Sequence, residues 1–395
     1  MRKRWYALVA VAALAALAAG TLSPASGQNP IVVGASISQT GRLAVTATYV
    51  LQAYQLWVDD VNAKGGLLGR PVTLKVYDDK SDPGTGAKLY EKLIVDDKVD
   101  LVAGPYSTPV SAAASTVNEK YKKVMVAPMA AGDALWKRGY RYLIQTLTPS
   151  SLYYIGVVDL ALERGLKTIA FMSEDSEALR VATPAVADLA QKKGLKVVHN
   201  EYFPRGTTDF SAMLTRIKAL GADVLVCGCY EPESVLSVRQ SKEIDYSPRL
   251  LFAGHGAAVP EFYKALGKDA EFVLASDHWD SRMKTPGNAE FVERFKKKYG
   301  REPNYHAAGT YGGMQAFEAG VRKAGSLDQD KIRQALGELD LATIFGRYKV
   351  SETGGQIGKT SIIVQWQGGK KQILWPGETA TAKAMLPAPP WAERR

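Results

Sequence analysis

The residues with the clearest chemical potential lie in the stretch LVAGPYSTPVSAAASTVN, residues 101–118. An apolar run stops at Gly104, and Tyr106, Ser107 and Thr108 then lead into an alanine-rich segment. A strand that ends in a loop and opens a helix can hold an anion, because the first backbone N–H groups of a helix are free and its dipole favours negative charge. The hydroxyl groups of Ser107 and Thr108 would add donors for a carboxylate, or either hydroxyl could act only as a helix cap.

Motifs of the common enzyme classes do not occur in the sequence. It contains no Gly-x-Ser-x-Gly elbow, no phosphate-binding loop, no His-Glu-x-x-His and no dinucleotide fingerprint. The histidines His199, His255, His278 and His306 are scattered, without the usual spacing of metal ligands. We therefore expect neither a metal nor a cofactor, and a binding function is favoured over catalysis.

Two cysteines, Cys227 and Cys229, lie in the apolar run VLVCGCY. Alternate residues on one strand face do not readily reach disulfide geometry without distortion. The sequence therefore predicts two buried free thiols.

The first 27 residues have the order of a secretory signal peptide. Arg2, Lys3 and Arg4 precede an apolar block over residues 5–20, and a small-residue segment follows it and ends at Gly27. The alternative is an uncleaved membrane anchor, since the block approaches the length of a short spanning helix. The alanine-rich block and the cleavage-like site favour export of a soluble protein.

The charge of the chain indicates no nucleic-acid partner. Without Arg2, Lys3 and Arg4 the formal charge falls from +10 to +7. That surplus is spread along the chain, without the basic stripe or aromatic interleaving of nucleic-acid binders. We interpret it as a property that favours solubility.

The length of 395 residues predicts two domains, because single hydrophobic cores stop growing near roughly 250–300 residues. Apolar strand runs alternate with helical spacing from Ile31 to Ala127, and the alternation restarts after Pro149. Such alternation is typical of parallel sheets covered by helices on both faces. One helix of the second half is predicted to turn Phe210, Leu214, Ile217 and Leu220 to a single buried face.

The two halves also resemble each other in detail. VDLVAGPYSTP, residues 99–109, and ADVLVCGCYEPE, residues 222–233, each combine an aspartate, an apolar strand, a Gly-x-Tyr loop and a helix start. This repeat predicts two duplicated lobes whose corresponding loops face each other across a cleft. In open α/β sheets, ligands bind beyond the carboxyl ends of the strands.

The last third of the chain changes character. After about Asp280 the spacing predicts three helices, followed by two final strands at residues 346–350 and 360–367. The proline- and alanine-rich end, residues 377–395, is predicted to be a flexible tail.

The order of motifs resembles the periplasmic solute-binding proteins of ABC transporters, in the leucine-isoleucine-valine-binding type. The similarity extends from about Ile31 to Leu374. It is carried by the export signal and, in order, IVVGASISQTGRLA, DVNAKGGLLGRPVTLKVYDDKSDP, LVAGPYSTP, VAPMAAGDAL, VLVCGCYEPE and GTYGGMQAFEAG. The resemblance implies an α/β fold with two Rossmann-like lobes, three hinge crossovers near Thr148, Trp279 and Ser351, a ligand trapped between the lobes, and delivery to a membrane permease.

These crossovers divide the chain between the lobes. Lobe 1 is expected to hold residues 30–148 and 280–351. Lobe 2 is expected to hold residues 149–279 and 352–376.

The resemblance also implies a ligand site. Amino-acid binders of the family hold the carboxylate at the loop matching Tyr106, Ser107 and Thr108. They also use the loop matching Met129, Ala130 and Ala131, where a threonine typically contacts both carboxylate and ammonium.

Two positions of that site depart from the pattern of amino-acid binders. Ala131 stands where the threonine would fall, and His255 stands where an acidic residue would pair with the ammonium. Both replacements remove ammonium ligands, so they favour a carboxylic acid over an amino acid. Imidazole can donate to an acid or phenol oxygen but substitutes poorly for a carboxylate.

Four further residues are expected at the cleft from the same resemblance. Tyr230 occupies the position of an aromatic residue from the second lobe, and His306 a position that is often aromatic. Thr46 and Glu177 are expected to line the cleft as well. Tyr230 could instead pack in the core, and His306 could instead cap the next helix.

The expected function is therefore binding and presentation of a small ligand by a monomer that closes around it at a hinge. The ligand is either a hydrophobic amino acid or a carboxylate without the ammonium, such as an aromatic or short aliphatic acid. A sensory receptor on the same fold and, with less support, an exported α/β enzyme are the alternative functions.

Overall fold

The computed structural model describes residues 29–394, and the predicted signal peptide of residues 1–27 lies outside them. The described chain forms two sheet-and-helix units, one for each predicted lobe. Among the described residues, we find no helix with the length and apolar character that crossing a bilayer requires.

Lobe 1 is built on a five-stranded parallel sheet with the order β2-β1-β3-β4-β5. Its strands are β1 Ile31–Ile37, β2 Val72–Asp78, β3 Leu101–Ala103, β4 Met125–Ala127 and β5 Leu143–Gln145. The helices between them are α1 Ala44–Ala63, α2 Pro83–Val95 and α3 Thr108–Lys120.

Lobe 2 repeats the same alternation. Its strands are β6 Thr168–Glu174, β7 Lys196–Phe203, β8 Val224–Gly228, β9 Leu250–Phe252 and β10 Leu274–Asp277. Its helices are α4 Ile155–Glu163, α5 Glu177–Lys192, α6 Ser211–Ala219, α7 Glu231–Glu243 and α8 Pro260–Leu266.

The chain then returns to lobe 1 before it ends in lobe 2. The returning elements are α9 Asn288–Tyr299, α10 Tyr305–Ala324, α11 Gln329–Glu338 and the hairpin of β11 Asp340–Thr343 with β12 Gly346–Lys349. Helix α10 packs along α1. Two antiparallel strands, β13 Ile362–Gln367 and β14 Lys370–Trp375, complete a seven-stranded sheet with the order β14-β13-β10-β9-β8-β6-β7.

Three crossovers connect the lobes, after β5, after β10 and after β12, which confirms the predicted fold class. The crossovers are hydrogen-bonded to one another. The side-chain amide of Gln356 in the third donates to the carbonyl oxygen of Thr146 in the first, at 3.3 Å. The Nζ of Lys359 in the third donates to the carbonyl oxygen of His278 in the second, at 3.1 Å. The hinge is therefore one connected unit.

The predicted periodicities explain the main elements. Val50, Tyr54, Trp57 and Val61 are all buried on one face of α1, as their three-to-four spacing indicates. Asp82 accepts a hydrogen bond from the backbone N–H of Thr85 at 2.7 Å and so caps α2. Cys227 and Cys229 are buried and form no disulfide, and their Sγ atoms lie 2.7 Å apart.

Three strands were not expected from the sequence. Strand β5 has only three residues, and β11 and β14 carry polar and charged residues that hide the alternation. Strand β14 is joined to β13 by a turn at Gly368 and Gly369, which both adopt positive φ, at 58° and 73°. The prediction that Leu220 shares the buried face of its helix is wrong, because α6 ends at Ala219 and leaves Leu220 50% exposed.

The predicted flexible tail of residues 377–395 differs from the structure over its described part. Trp391 is buried, and its indole N–H donates to the carbonyl oxygen of Tyr246 at 2.7 Å. The N–H of Ala388 donates to the carbonyl oxygen of Arg249 at 2.8 Å. A single large aromatic side chain therefore anchors a segment whose composition indicates a loose end.

Candidate ligand-binding site

The carboxyl ends of strands from both lobes open onto one cleft with a volume of about 360 Å³. The loops after β1, β3 and β4 supply one wall, and those after β6, β7, β8 and β9 supply the other. The residues that line it are Arg42, Leu43, Thr46, Tyr106, Ser107, Thr108, Pro109, Met129, Ala131, Leu147, Tyr153, Glu174, Ser176, Ala178, Arg205, Tyr230, His255, Tyr305 and His306. This is the position at which open α/β sheets bind ligands.

Most of the residues predicted for the site lie on this cleft. They are Thr46, Tyr106, Ser107, Thr108, Met129, Ala131, Tyr230, His255 and His306. Their role in binding stays a prediction, but the structure brings them together from both lobes.

Ala130 does not line the cleft, contrary to the prediction. Its side chain packs in the core of lobe 1, away from the cleft, and its carbonyl oxygen accepts from the side-chain amide of Gln145 at 3.0 Å. The side chain of Glu177 lies outside the described part of the structure, although its neighbours Ser176 and Ala178 line the cleft.

The loop that precedes α3 approaches its neighbours closely. A Cβ atom on Gly104 would lie 2.7 Å from the carbonyl oxygen of Val126, so only glycine fits there. The hydroxyl of Tyr54 donates to the carbonyl oxygen of Gly104 at 2.6 Å. The break in the apolar run is thus a requirement of backbone packing.

Ser107 has an unusual backbone conformation, with φ at 85°. Positive φ is uncommon for a residue with a side chain, and such strain concentrates at functional sites. Ser107 makes no side-chain cap to α3, and within residues 29–394 its buried Oγ has no hydrogen-bond partner. The capping interpretation therefore does not describe Ser107, which lines the cleft.

The hydroxyl of Thr108, unlike that of Ser107, is hydrogen-bonded to the protein backbone. Its Oγ1 accepts hydrogen bonds from the backbone N–H groups of Ala131, at 3.2 Å, and Gly132, at 3.1 Å. The loop after β3 is thereby fixed to the loop after β4. Both lone pairs of the hydroxyl are engaged, which leaves its O–H for donation.

A connected row of rings lies at the back of the cleft, and we call it the aromatic wall. It consists of Tyr230, His255, Tyr153, His278, Tyr305, His306 and Tyr106, and successive ring centroids lie 4.6, 6.2, 4.5, 4.9, 3.8 and 5.4 Å apart. All of its members except His278 line the cleft. The row runs from lobe 2 through the hinge to lobe 1. An apolar, polarisable surface of this kind suits a flat ligand.

The imidazoles of the aromatic wall are uncharged at neutral pH. Burial lowers the pKa of His255 to about 4, and burial together with the nearby His255 lowers the pKa of His306 to about 3. Burial also lowers the pKa of His278 well below its usual range. These rings therefore act as neutral donors or acceptors, and none supplies the negative charge that an ammonium requires.

Two tyrosines fix the positions of the imidazoles at the cleft. The hydroxyl of Tyr154 lies 3.1 Å from Nδ1 of His255, and the hydroxyl of Tyr106 lies 3.3 Å from Nε2 of His306. The Nδ1 of His306 is buried and has no hydrogen-bond partner in the described chain.

Several residues at the cleft were not predicted from the sequence. Tyr153 follows the first crossover, Tyr305 is the first residue of α10, and Arg42, Glu174 and Arg205 bring charge to the rim and to the lobe 2 wall. Each is a single residue without a motif of its own. One sequence signal could have indicated three of them: Arg42, Glu174 and Arg205 lie at or just beyond a strand end, where this fold binds ligands.

The described residues, 29–394, contain no group of three or more histidine, cysteine or acidic side chains that could hold a metal ion.

Two α/β lobes, three hinge crossovers and a cleft between strand ends define a two-lobed ligand-binding architecture of the type I periplasmic kind. The chain belongs to the family of periplasmic binding proteins, which it matches over residues 30–371. This membership confirms the resemblance seen in the sequence and implies an extracytoplasmic location.

Relatives and solved structures agree with this assignment. The chain is 29% identical to "Leu/Ile/Val-binding protein homolog 7" of Brucella suis biovar 1, over 95% of this chain and 98% of that protein. It superposes on LivJ of Streptococcus pneumoniae in complex with isoleucine with a TM-score of 0.73 at 23% identity, over 88% of this chain and 99% of that one. It also superposes on a solute-binding protein of an ABC transporter from R. palustris in complex with benzoate, with a TM-score of 0.74 at 19% identity, over 88% and 96% of the two chains.

Proposed function

We propose that the protein is the exported substrate-binding component of an ABC importer, and that it carries a small aromatic carboxylic acid without an ammonium group. The acid is trapped between the two lobes and presented to a membrane permease. The signal-peptide pattern of residues 1–27 supports export.

The observation that carries this proposal is the free hydroxyl of Ser107 at the start of α3. Its Oγ is buried without a partner among the described residues, and no acidic residue lies in the first turn of α3. A carboxylate placed there would accept from the hydroxyls of Ser107 and Thr108 and would lie at the positive end of the helix dipole.

The rest of the cleft favours an aromatic acid over an amino acid. Ala131 offers a methyl group, and His255 a neutral imidazole, at the positions where the family's amino-acid binders hold the ammonium. The aromatic wall supplies a surface on which a flat ring can stack. Of the two liganded structures compared above, the one that holds benzoate therefore supplies the better analogy.

Closure at the hinge would complete the site. The carboxylate binds to the loops of lobe 1, and lobe 2 then covers the ring with Tyr230 and His255. A permease can distinguish loaded from empty protein because the ligand favours the closed state.

A binding experiment with the mature protein tests the proposal. We expect benzoate to raise the melting temperature and to bind in isothermal titration calorimetry, whereas leucine, isoleucine and valine do so weakly or not at all. Stabilisation by the amino acids alone would contradict the proposal.

Ser107→Ala separates this site from any other binding mode. A hydrogen bond to a charged group contributes about 1.5–3 kcal/mol, so we expect a loss of about tenfold to 100-fold in benzoate affinity. Thr215→Ala is the matched control, because it removes a hydroxyl from the exposed face of α6, away from the cleft. Equal affinities of Ser107→Ala and the control would place the carboxylate elsewhere.

A further inference from the structure

A second group of unpartnered polar atoms lies on the lobe 2 wall of the cleft, opposite Ser107. Glu174 is the last residue of β6, and Ser176 directly precedes α5. Both line the cleft. Glu174 is only 1% exposed, and within the described chain neither its buried Oε2 nor the buried Oγ of Ser176 has a hydrogen-bond partner.

The next residue, Asp175, is paired, in contrast to Glu174. The N–H of Asp175 donates to the carbonyl oxygen of Phe203 at 2.8 Å, which holds the end of β6 against β7. The side chain of Asp175 forms a bidentate pair with Arg180 at the surface, at 2.5 and 2.6 Å. The exposed carboxylate is thus neutralised, whereas the buried one at Glu174 faces the cleft.

A buried carboxyl group without a partner destabilises the empty protein, so such groups are retained where something else satisfies them. Ser176 differs from Glu174 in chemistry, since its hydroxyl can donate as well as accept. A ligand group that both donates and accepts would satisfy the two side chains at once.

We propose that Glu174 and Ser176 form a polar subsite of lobe 2 that receives a hydroxyl group of the bound aromatic acid, at the end away from its carboxylate. The ligand hydroxyl donates to Oε2 of Glu174 and accepts from the hydroxyl of Ser176. This inference rests on the proposed function, because it takes the carboxylate to lie on lobe 1 at Ser107.

The surroundings favour a hydroxyl over an ammonium as the donor. Arg42 and Arg205 line the same cleft, and the guanidinium of Arg205 lies 5.9 Å from the centre of the Tyr230 ring. Two cationic side chains disfavour a cationic ligand group. Burial raises the pKa of Glu174, although the charge of Arg205 opposes the shift, so the site does not offer a strongly stabilised carboxylate. Removal of an ammonium from water is also more costly than removal of a hydroxyl.

The test compares ligands that differ by one group. Dissociation constants are measured by calorimetry for benzoate, 3-hydroxybenzoate, 4-hydroxybenzoate and 4-(aminomethyl)benzoate, with the mature wild-type protein, Glu174→Leu, Glu174→Gln and Ser176→Ala. The readout is the ratio of the benzoate constant to that of the better hydroxybenzoate. We expect a ratio of about tenfold or more in the wild type, consistent with a hydrogen bond to a buried carboxyl.

The variants then locate the source of that ratio. Glu174→Leu is expected to reduce the ratio to less than about threefold, and Glu174→Gln to retain part of it because an amide oxygen still accepts. Ser176→Ala is expected to reduce it partly. Because the substitution removes an unpartnered carboxyl, the ligand-free Glu174→Leu protein is expected to melt no lower than the wild type. If Glu174→Leu does not fold, Glu174→Gln and Ser176→Ala still decide the test.

Each of the remaining outcomes contradicts either the subsite inference or the proposed function. If benzoate binds and neither hydroxybenzoate binds more tightly than benzoate, the subsite inference fails and the proposed function stands. An unchanged ratio in Glu174→Leu, or a larger gain for 4-(aminomethyl)benzoate than for the hydroxybenzoates, also overturns the inference. If no aromatic acid binds and isoleucine does, the proposed function fails together with it.

Discussion

The two Gly-x-Tyr loops of the repeat occupy matching places and differ in charge. In lobe 1, Thr108, Pro109 and Val110 form the first turn of α3, with no acidic residue. In lobe 2, Glu231 and Glu233 stand in the matching first turn of α7, on either side of a proline at the same position.

This difference separates the tasks of the two lobes. The dipole at the start of α7 faces the helix's own carboxylates, whereas the first turn of α3 contains no acidic residue. In the loop of lobe 1, the buried Oγ of Ser107 has no hydrogen-bond partner among residues 29–394, whereas the loop of lobe 2 offers the ring of Tyr230, which is 37% exposed. Under the proposed function, the loop of lobe 1 would bind the anion and the loop of lobe 2 would cover it.

The largest expected effect comes from placing an acidic residue in the first turn of α3, as lobe 2 has in the first turn of α7. Thr108→Glu places a carboxylate where α7 has Glu231, next to the proposed seat of the ligand carboxylate. Repulsion and the loss of the free helix dipole are expected to weaken benzoate binding by at least about 100-fold, or about 2.7 kcal/mol. Calorimetry measures the loss.

Thr108→Gln is the control for that substitution. It removes the hydroxyl that accepts from Ala131 and Gly132 without adding charge. The comparison of the two loops requires a much larger loss for Thr108→Glu than for Thr108→Gln. Equal losses would mean that the hydroxyl matters and the helix charge does not.

The second expected effect concerns pH and the aromatic wall that joins the two loops. The folded pKa values of His255 and His306, about 4 and about 3, lie below the ordinary value near 6.5. The unfolded chain therefore binds more protons below pH 6.5, and stability falls as the pH falls. Each histidine contributes a slope of up to about 1.4 kcal/mol per pH unit between pH 6.5 and pH 5.

Denaturant unfolding at several pH values measures this slope. His306→Gln and His255→Gln are each expected to flatten it between pH 6.5 and pH 5. His199→Gln, on β7 outside the cleft, serves as the control and is expected to leave most of the slope in place. A slope that neither cleft variant changes would contradict the burial of neutral imidazoles.

The third effect concerns the covering loop. Tyr230→Ala removes the ring that we propose to stack on the ligand and is expected to weaken benzoate binding by about tenfold, in line with the energy of an aromatic pair. Tyr230→Phe keeps the ring and is expected to change affinity by less than about threefold. Equal effects of the two substitutions in calorimetry would assign the contribution to the hydroxyl and not to the ring.

Much of the fold follows from the sequence because the repeated elements carry strong local signals. The buried spacing along α1, the aspartate cap of α2 and the two glycine loops each act within a few residues. Strand β5, with three residues, and the tail held by Trp391 depend on partners that are distant in sequence, so local patterns could not indicate them.

Residues that follow strand ends could be placed on the cleft from the sequence, whereas features that depend on tertiary contacts could not. Ser107 and Tyr230 belong to the repeated loops and both line the cleft, and their role in binding stays a prediction. Ala130 lies between Met129 and Ala131, which both face the cleft, so the alternation of an extended segment would have turned it away. The unpaired state of Glu174 depends on neighbours that only the folded chain brings together.

The smallest expected effect comes from the reverse substitution in lobe 2. Burial and the neighbouring Glu261 and Glu233 raise the pKa of Glu231, so its charge is partly opposed where it stands. Glu231→Gln removes one carboxylate from the first turn of α7 and is expected to change the benzoate dissociation constant by less than about threefold, because the proposed position of the ligand carboxylate is on lobe 1. Stability is expected to change by less than about 1 kcal/mol, since the lost interaction with the helix dipole is offset by the relief of like charges. Calorimetry and denaturant unfolding measure the two quantities. A gain of tenfold or more in benzoate affinity would mean that α7, once freed of its own acid, binds the anion as well, and the separation of tasks between the two loops would then be wrong.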